Sequence, residues 1–198
     1  MRKPNALLTV AGITCCILMG MGAGASSPER VVKHTIVRLS RILEIEQPQK
    51  RTARLIDELR RSFDYKGFEA RVIQDAKSKL SPEQKKRFSK AFRKMFERKI
   101  TALADDPNIR CTDYNVSSGD NETEVMVSCV QSTSTEQVRL HFPGPNATKI
   151  VDITFSGALL SRNYRGIINK LLRRDGAEAL IVRIESKSAD SLTQKSLL

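Results

Sequence analysis

Residues 124–142 read EVMVSCVQSTSTEQVRLHF, and their pattern decides the class of fold. Valine, leucine and phenylalanine recur at every second position, at Val125 and Val127 and again at Val138, Leu140 and Phe142. A period of two is typical of strands that bury one face. The stretch therefore predicts two adjacent strands, and similar segments lie on either side of it. In all, the sequence predicts a four-stranded antiparallel sheet with strands at 109–117, 124–133, 136–142 and 148–155.

Helical periodicity surrounds the predicted sheet. Apolar residues recur every three or four positions in four segments before it and one segment after it. The fourth segment has the clearest beginning, because Ser81 can act as N-cap, Pro82 suits the first helical position and Gln84 can complete a capping box. The predicted helices are 29–45, 50–61, 66–80, 81–103 and 157–186, the last with a pause at Asp175–Gly176. This order of elements predicts a single α+β domain.

The first 25 residues have the features of an export signal. Arg2 and Lys3 precede an uncharged apolar or small stretch at 6–23, which ends in the small-residue motif Ala23–Gly24–Ala25. This layout predicts a cleaved signal peptide at 1–25 and a periplasmic location. A membrane anchor is the alternative, but a spanning helix needs about 20 apolar residues and this stretch is shorter. We expect a folded domain at 26–187 and a flexible tail at 188–198.

The charge of the chain limits its partners. The formal net charge is +12, and cleavage of the signal would remove two cations and no acid, leaving +10. Such a balance favours an anionic partner, and export argues against nucleic acid. Anionic lipid head groups or an acidic protein surface remain, with docking through the basic residues of the fourth helix. The alternative is that the lysines and arginines only solvate the helix surfaces.

Two cysteines, Cys111 and Cys129, remain after cleavage, in a compartment where disulfides persist. The turn between them is centred near residue 120, so the two residues would lie opposite each other in a hairpin. Opposed Cβ atoms are about 4.5–5.5 Å apart, which small adjustments could convert into a bridge. We expect a cross-strand disulfide, and two free cysteines are the alternative.

Catalytic and metal-binding patterns are weak. The chain has two histidines, His34 and His141, and a metal site needs three or four converging ligands, which no spacing here offers. No nucleophile elbow, phosphate-binding glycine loop or zinc-protease motif is present. His141 and Asp152 could approach each other on adjacent strands, and they are the only acid–base candidates. The sequence predicts no metal and no catalytic residues.

Three segments together resemble the MlaC family, also called the toluene-tolerance family of ABC-transporter auxiliary proteins. They are FDYKGFEARVI at 63–73, LSPEQKKRF at 80–88 followed by Ala91 and Phe92, and GALLSRNYR at 157–165 with a helix that continues to Gly176. The resemblance implies a curved antiparallel sheet wrapped by helices, of the nuclear-transport-factor-2-like type. It also implies an apolar cavity for phospholipid acyl chains, with bound phospholipid as cargo and no other cofactor.

The resemblance further implies a periplasmic monomer that carries phospholipid between an inner-membrane ABC/MCE complex and an outer-membrane lipoprotein complex, with transient membrane contact, and so maintains outer-membrane lipid asymmetry. We predict a cavity between the fourth helix, the inner sheet face and the helix after residue 157, with Arg165 at its mouth near the head group. The expected lining residues are Phe63, Phe68, Phe88, Phe92, Phe96, Val125, Val127, Leu140, Phe142, Val151, Ile153, Leu160 and Tyr164. The alternatives are a small-molecule enzyme on the same fold and a carrier of another lipid such as a hopanoid.

Overall fold

The structure is a computed structural model that describes residues 28–104, 109–118, 122–131 and 134–189. The predicted signal peptide and residues 190–198 of the predicted tail lie outside these ranges. The helices are α1 (Pro28–Leu43), α2 (Pro48–Ser62), α3 (Tyr65–Val72), α4 (Pro82–Ala104) and α5 (Leu160–Ala189), with a 3₁₀ turn at Lys77–Lys79. The strands are β1 (Ile109–Ser118), β2 (Thr123–Gln131), β3 (Ser134–Phe142), β4 (Asp152–Phe155) and β5 (Ala158–Leu159).

The sheet is an antiparallel meander with the strand order β1-β2-β3-β4-β5. Val125 of β2 lies opposite Leu140 of β3, which in turn lies opposite Ile153 of β4. Because opposed residues share a face, these side chains form a row on the side of the sheet that the helices cover. The α+β prediction is confirmed, and the described residues form a single domain.

The sheet has one strand more than the four that the sequence predicted. Ser156 and Gly157 both have positive φ values, 48° and 75°, and they connect β4 to the two-residue strand β5. Two consecutive residues of positive φ are the mark of a tight hairpin turn. The last helix therefore begins at Leu160 rather than near Gly157, and the prediction of helix from residue 157 was wrong.

The predicted third helix is also shorter than expected. It ends at Val72 and is followed by turns and the 3₁₀ segment, although the sequence predicted helix to residue 80. Ile73, Ala76 and Leu80 are all buried. Because their spacing of three and four is the same in a continuous helix and in successive tight turns, periodicity alone does not separate the two structures. The fourth predicted strand, from residue 148, begins instead at Asp152.

Helix α4 begins as predicted. The Gln84 backbone N–H donates to Ser81 Oγ at 3.1 Å, and the Ser81 backbone N–H donates to Gln84 Oε1 at 3.0 Å. This reciprocal pair is a capping box, which satisfies two backbone donors that the first turn leaves without helical partners. The long helix that follows is thus fixed at its first turn, with Phe88, Phe92 and Phe96 on one face.

The connection between α2 and α3 is tied to the sheet side of the molecule. Asp64 N–H donates to the Ile150 carbonyl at 2.7 Å, and Ile150 N–H donates to the Ser62 carbonyl at 2.8 Å. These two bonds form an isolated bridge between Phe63 and Ile150. Phe63 is thereby held in the core, with 1% of its surface exposed.

Helix α5 bends at Gly176, whose φ of 81° and ψ of 174° are not helical. A left-handed φ suits glycine because it has no Cβ, and the predicted pause at Asp175–Gly176 is confirmed. In the described parts of the chain, no helix combines the length and apolar character that crossing a membrane requires.

Candidate functional site

Seven aromatic side chains meet between α4, α3 and α5, and we call them the aromatic layer. Phe88 stacks on Phe92 with ring centroids 5.2 Å apart, and Tyr164 of α5 meets the Phe92 ring edge-on at 5.3 Å. Phe68 of α3 lies 4.8 Å from Phe96. Such offset and edge-on pairs each add about 0.5–1.5 kcal/mol beyond simple burial. The members of the layer are Phe63, Tyr65, Phe68, Phe88, Phe92, Phe96 and Tyr164.

The structure brings most of the predicted cavity residues together around this layer. Val125, Val127 and Phe142 of the sheet belong to the same buried cluster as the phenylalanines, and Leu140, Ile153, Leu160 and Tyr164 pack against it while partly exposed. Val151 is buried outside that cluster, beside Gly67. Burial raises the pKa of Tyr164 to about 12. Contact of these residues with a ligand stays a prediction.

An open groove of about 1230 Å³ lies on the flank of α4, where α4 faces α2 and α3. Pockets for drug-sized ligands are roughly 300–1,000 Å³, so the groove has room for a ligand of at least that size. Its apolar lining includes Phe92, which is also at the centre of the aromatic layer. The apolar lining residues are Ile56, Tyr65, Ala70, Ile73 and Phe92.

The groove differs in position from the cavity that the sequence predicted. The prediction placed the walls on α4, the sheet and α5, but the groove is lined by α2, α3, the 3₁₀ turn and α4. Of the thirteen predicted lining residues, only Phe92 lies in it. The other residues that line the groove could not be predicted from the sequence. The pattern indicates the apolar stripe of α4, whereas the residues that face its charged flank are set by tertiary packing.

The groove is strongly cationic. It is lined by nine lysines and arginines but by only two acids, Glu69 and Glu97, which gives a formal charge of +7. The whole chain carries +12, so much of its excess charge is concentrated in this one concave surface. A concave surface lined by one sign of charge focuses its electric field and attracts anionic groups. The cations are Arg60, Lys66, Lys77, Lys85, Lys86, Lys90, Arg93, Lys94 and Arg98.

The two acids of the groove are already engaged. Arg60 donates to both carboxylate oxygens of Glu97, at 2.8 and 3.0 Å, and Arg93 Nε donates to the same carboxylate at 3.1 Å. Burial alone would raise the pKa of Glu97, but these two arginines outweigh it and hold the pKa below its ordinary value. Glu69 accepts a short hydrogen bond from Ser89, and burial raises its pKa.

Arg93 also contacts the aromatic layer. Its guanidinium lies over the Tyr65 ring, 4.4 Å from the centroid, in a cation–π arrangement. Burial is the main cause that raises the pKa of Tyr65. The rim of the groove and the aromatic layer are thus joined through Arg93, Glu97 and Tyr65.

Arg165 does not line the groove. Its Nε donates to the Arg71 backbone carbonyl at 2.9 Å and so ties α5 to the C-terminal end of α3. Arg71 in turn lies 3.9 Å from the buried carboxylate of Asp152 and 3.4 Å from Glu122. The predicted contact of Arg165 with a head group stays a prediction, and the structure gives this side chain a link between two helices.

The acid–base candidates lie opposite each other as expected. His141 and Asp152 are register partners on β3 and β4, and His141 Nε2 lies 2.8 Å from Thr154 Oγ1. Asp152 Oδ1 accepts the backbone N–H groups of Ile153 and Ser161, a pattern that fixes the start of α5. Neither residue lines the groove. Within the described ranges, no group of three or more His, Cys, Asp or Glu side chains is arranged to hold a metal ion.

The hairpin of β1 and β2 has the predicted register at its cysteines. Cys111 lies directly opposite Cys129, and a bulge follows between Cys111 and Asp113. The strand pairing therefore meets the main geometric requirement for a cross-strand bridge. The disulfide itself stays a prediction.

Comparison with known proteins agrees with this architecture. A family profile described as MlaC protein matches residues 29–186. A solved phospholipid-binding protein from Ralstonia solanacearum, in complex with a phospholipid, is similar in fold with a TM-score of 0.65 and 19% sequence identity, over 80% of this chain and 95% of that one. Comparison with curated proteins finds no significant match. Because the family profile covers most of the sequence, the chain belongs to the MlaC family.

Proposed function

We propose that this protein is a phospholipid-binding carrier of the periplasm. It would move lipid between an inner-membrane ABC/MCE complex and an outer-membrane lipoprotein complex and so maintain the lipid asymmetry of the outer membrane. Family membership supports the carrier assignment, and so does the fold shared with a Ralstonia protein that holds a phospholipid. The signal-like sequence at 1–25 supports the location.

One observation carries the lipid-binding part of the proposal, namely the combination of an apolar floor and a cationic rim in one groove. Ile56 and Tyr65 of the floor are half-buried and Ala70 is exposed, and the lysines of the rim line the same groove. A phospholipid has the matching chemistry, with an apolar body and a phosphate at one end. We infer that acyl chains pack on this floor and against the aromatic layer behind it.

Elementary energetics explain why such a lipid needs a carrier. Each buried CH₂ is worth about 0.8 kcal/mol, so an exposed pair of long acyl chains cannot cross water at a useful rate. A carrier replaces the water around the chains with apolar side chains. This task needs no covalent chemistry, and the groove lining contains no histidine, cysteine or serine–histidine pair that would suggest it.

The enzyme alternative has one specific observation in its favour, the hydrogen bond between His141 and Thr154 on strands where His141 and the buried Asp152 are register partners. The backbone bonds to Asp152 give that residue a structural task, and the arrangement lies apart from the groove. We therefore favour the carrier. A hopanoid or another uncharged lipid would satisfy the apolar floor but would leave the cationic rim without a partner.

A transfer assay tests the carrier directly. Donor vesicles contain a self-quenched fluorescent phospholipid, and the protein without residues 1–25 should speed its appearance in acceptor vesicles. Ala70→Trp places a large ring in the groove and should abolish transfer, whereas Ala53→Trp, at an exposed position of α2 outside the groove, should not. No transfer by the unaltered protein would refute the carrier function, and equal transfer by both variants would refute the groove as the lipid-binding site.

The location and the partners need separate experiments. Fractionation of cells that express the full chain should place it in the periplasm with its N-terminus at Ser26. A chain that stays in the cytoplasm with Arg2 and Lys3 intact would contradict the export prediction. Crosslinking in cells should capture an ABC/MCE component and an outer-membrane lipoprotein, and capture of neither would contradict the proposed route.

A further inference from the structure

The charges of the groove point to the class of lipid that it takes. We propose that the groove selects phospholipids with a net negative head group, such as phosphatidylglycerol, over zwitterionic ones such as phosphatidylethanolamine. This inference rests on the proposed function, since it assumes that a phospholipid occupies the groove. It goes further by naming the head-group chemistry and the residues that read it.

Four cations form a ladder along α4. Lys86, Lys90, Lys94 and Arg98 follow each other at intervals of four residues, and all line the groove. At 1.5 Å per residue the ladder is about 18 Å long. Like charges spaced by four residues repel each other and destabilise a helix by a few tenths of a kcal/mol per pair. An anionic ligand on this face would relieve the repulsion.

Further cations line the side of the groove that faces α4. Lys66 of α3 and Lys77 of the 3₁₀ turn belong to its lining, together with Arg60 of α2. An anion in the groove is therefore approached by positive charge from both sides. Such convergence is stronger than a flat basic surface, because the low-dielectric walls concentrate the field.

The acids of the groove do not neutralise these lysines. Glu97 is used by Arg60 and Arg93, and Glu69 is hydrogen-bonded to Ser89. Among the residues that the structure describes, several lining lysines take part in no hydrogen bond or ion pair. These lysines are Lys66, Lys77, Lys85, Lys86 and Lys94.

The apolar floor decides between a lipid head group and other anions. A free phosphate would bind the lysines but would leave the half-buried Ile56 and Tyr65 and the exposed Ala70 of the lining without an apolar partner. A phospholipid fills both parts, with its head group among the cations and its chains on the floor. An acidic segment of a partner protein could also contact the cations, and the experiment below separates that case.

The test offers both lipids on one surface, so that attraction of a basic protein to charged vesicles cancels. The protein is incubated with vesicles that contain equal phosphatidylglycerol and phosphatidylethanolamine, then re-isolated, and its lipid is extracted and quantified by mass spectrometry. We expect phosphatidylglycerol to exceed phosphatidylethanolamine about tenfold at low salt, as expected for a few exposed ion pairs. The ratio should approach one in about 0.5 M salt, where such pairs are screened.

A matched pair of variants assigns the selectivity to the ladder. Lys86→Gln/Lys90→Gln/Lys94→Gln should bring the ratio close to one at low salt. Lys33→Gln/Lys149→Gln/Lys170→Gln removes the same charge from exposed positions outside the groove and should keep the selectivity. Far-ultraviolet circular dichroism of both variants checks that the fold is intact.

Each contrary result has a definite meaning. Equal amounts of the two lipids in the unaltered protein, or the same ratio in both triple variants, would overturn the inference and leave the carrier in place. No bound lipid of either kind would overturn the proposed function itself. Two further probes, glycerol phosphate and a polyglutamate peptide, are added as competitors. Another contrary result is that either probe binds the unaltered protein but not the ladder variant, and yet leaves the extracted lipid ratio unchanged. That result would show that the cations bind a soluble phosphate or an acidic protein segment, and it would also overturn the inference.

Discussion

At Gly67 the chain has no room for a side chain. A Cβ atom there would lie 2.5 Å from Asp64 Oδ2 and 2.7 Å from a methyl group of Val151. Asp64 is the N-cap of α3 and accepts the Gly67 N–H, so it cannot retreat without losing that bond. The glycine thus lets α3 approach the chain just before β4. This close approach explains why a glycine stands at position 67 in the segment 63–73 that resembles the family.

Gly67→Ala should destabilise the protein by about 1–3 kcal/mol, the usual cost of forcing an extra methyl group into a packed site. Gly166→Ala is the matched control, because a Cβ there meets no atom within 4 Å and alanine is the better helix former. It should leave stability unchanged or raise it by up to about 1 kcal/mol. Urea unfolding measures both, and a Gly67→Ala protein as stable as the control would contradict the packing argument.

Glu97 should make a large contribution to the stability of the fold. It is 4% exposed and accepts hydrogen bonds from two arginines, so Glu97→Gln should cost about 1–3 kcal/mol. The pKa of Glu97 is lower in the folded than in the unfolded chain. Its contribution is therefore fully present above the unfolded-state pKa and is lost as the pH falls through the folded-state pKa.

Urea unfolding of the unaltered protein and of Glu97→Gln over a pH series measures this dependence. The gap in stability between the two should be widest near neutral pH and should narrow in acid. Glu69 has a raised pKa and acts in the opposite direction, but it is present in both proteins and its effect cancels in the difference. A gap that stays constant or widens in acid would contradict the assignment.

At the scale of elements, local signals predicted most of the fold. The capping box at Ser81 and Gln84 involves residues three positions apart, and the alternation in 124–142 reflects burial of a single face, so both can be read without tertiary information. The turn at Ser156–Gly157 is also local, and its Ser–Gly dipeptide is a recognised turn signal. It was missed because the apolar residues after it fit a helix as well as a two-residue strand.

The groove could not be predicted in the same way. Its lining comes from α2, α3, the 3₁₀ turn and α4, and only their packing decides that Lys66 and Lys77 face the cation ladder of α4. A lysine that lines a groove and a lysine on a free helix surface are the same in sequence. The predicted lining residues of α4, Phe88, Phe92 and Phe96, lie on its apolar face, whereas the groove lies on the neighbouring charged flank of the same helix.

The β1–β2 hairpin should contain a disulfide between its two strands. With Cys111 opposite Cys129, the chain without its first 25 residues, purified without reductant, should resist alkylation completely. After reduction in denaturant, mass spectrometry should find two alkylated cysteines. Two alkylated cysteines before reduction would show that the bridge does not form.

At the scale of the whole molecule, the distribution of charge and apolar surface suits a carrier. The core is closed by the helices and the sheet, and the cations are concentrated where the groove opens beside the aromatic layer. The central claim is therefore that the folded chain holds a phospholipid.

Native mass spectrometry tests this claim most directly. The protein without its signal segment is incubated with phospholipid vesicles, re-isolated and measured under conditions that keep non-covalent complexes intact. We predict a mass that exceeds the polypeptide by one phospholipid, which is released on activation and identified in the extract. The mass of the bare polypeptide alone, after the same incubation and with the fold intact, would contradict the account.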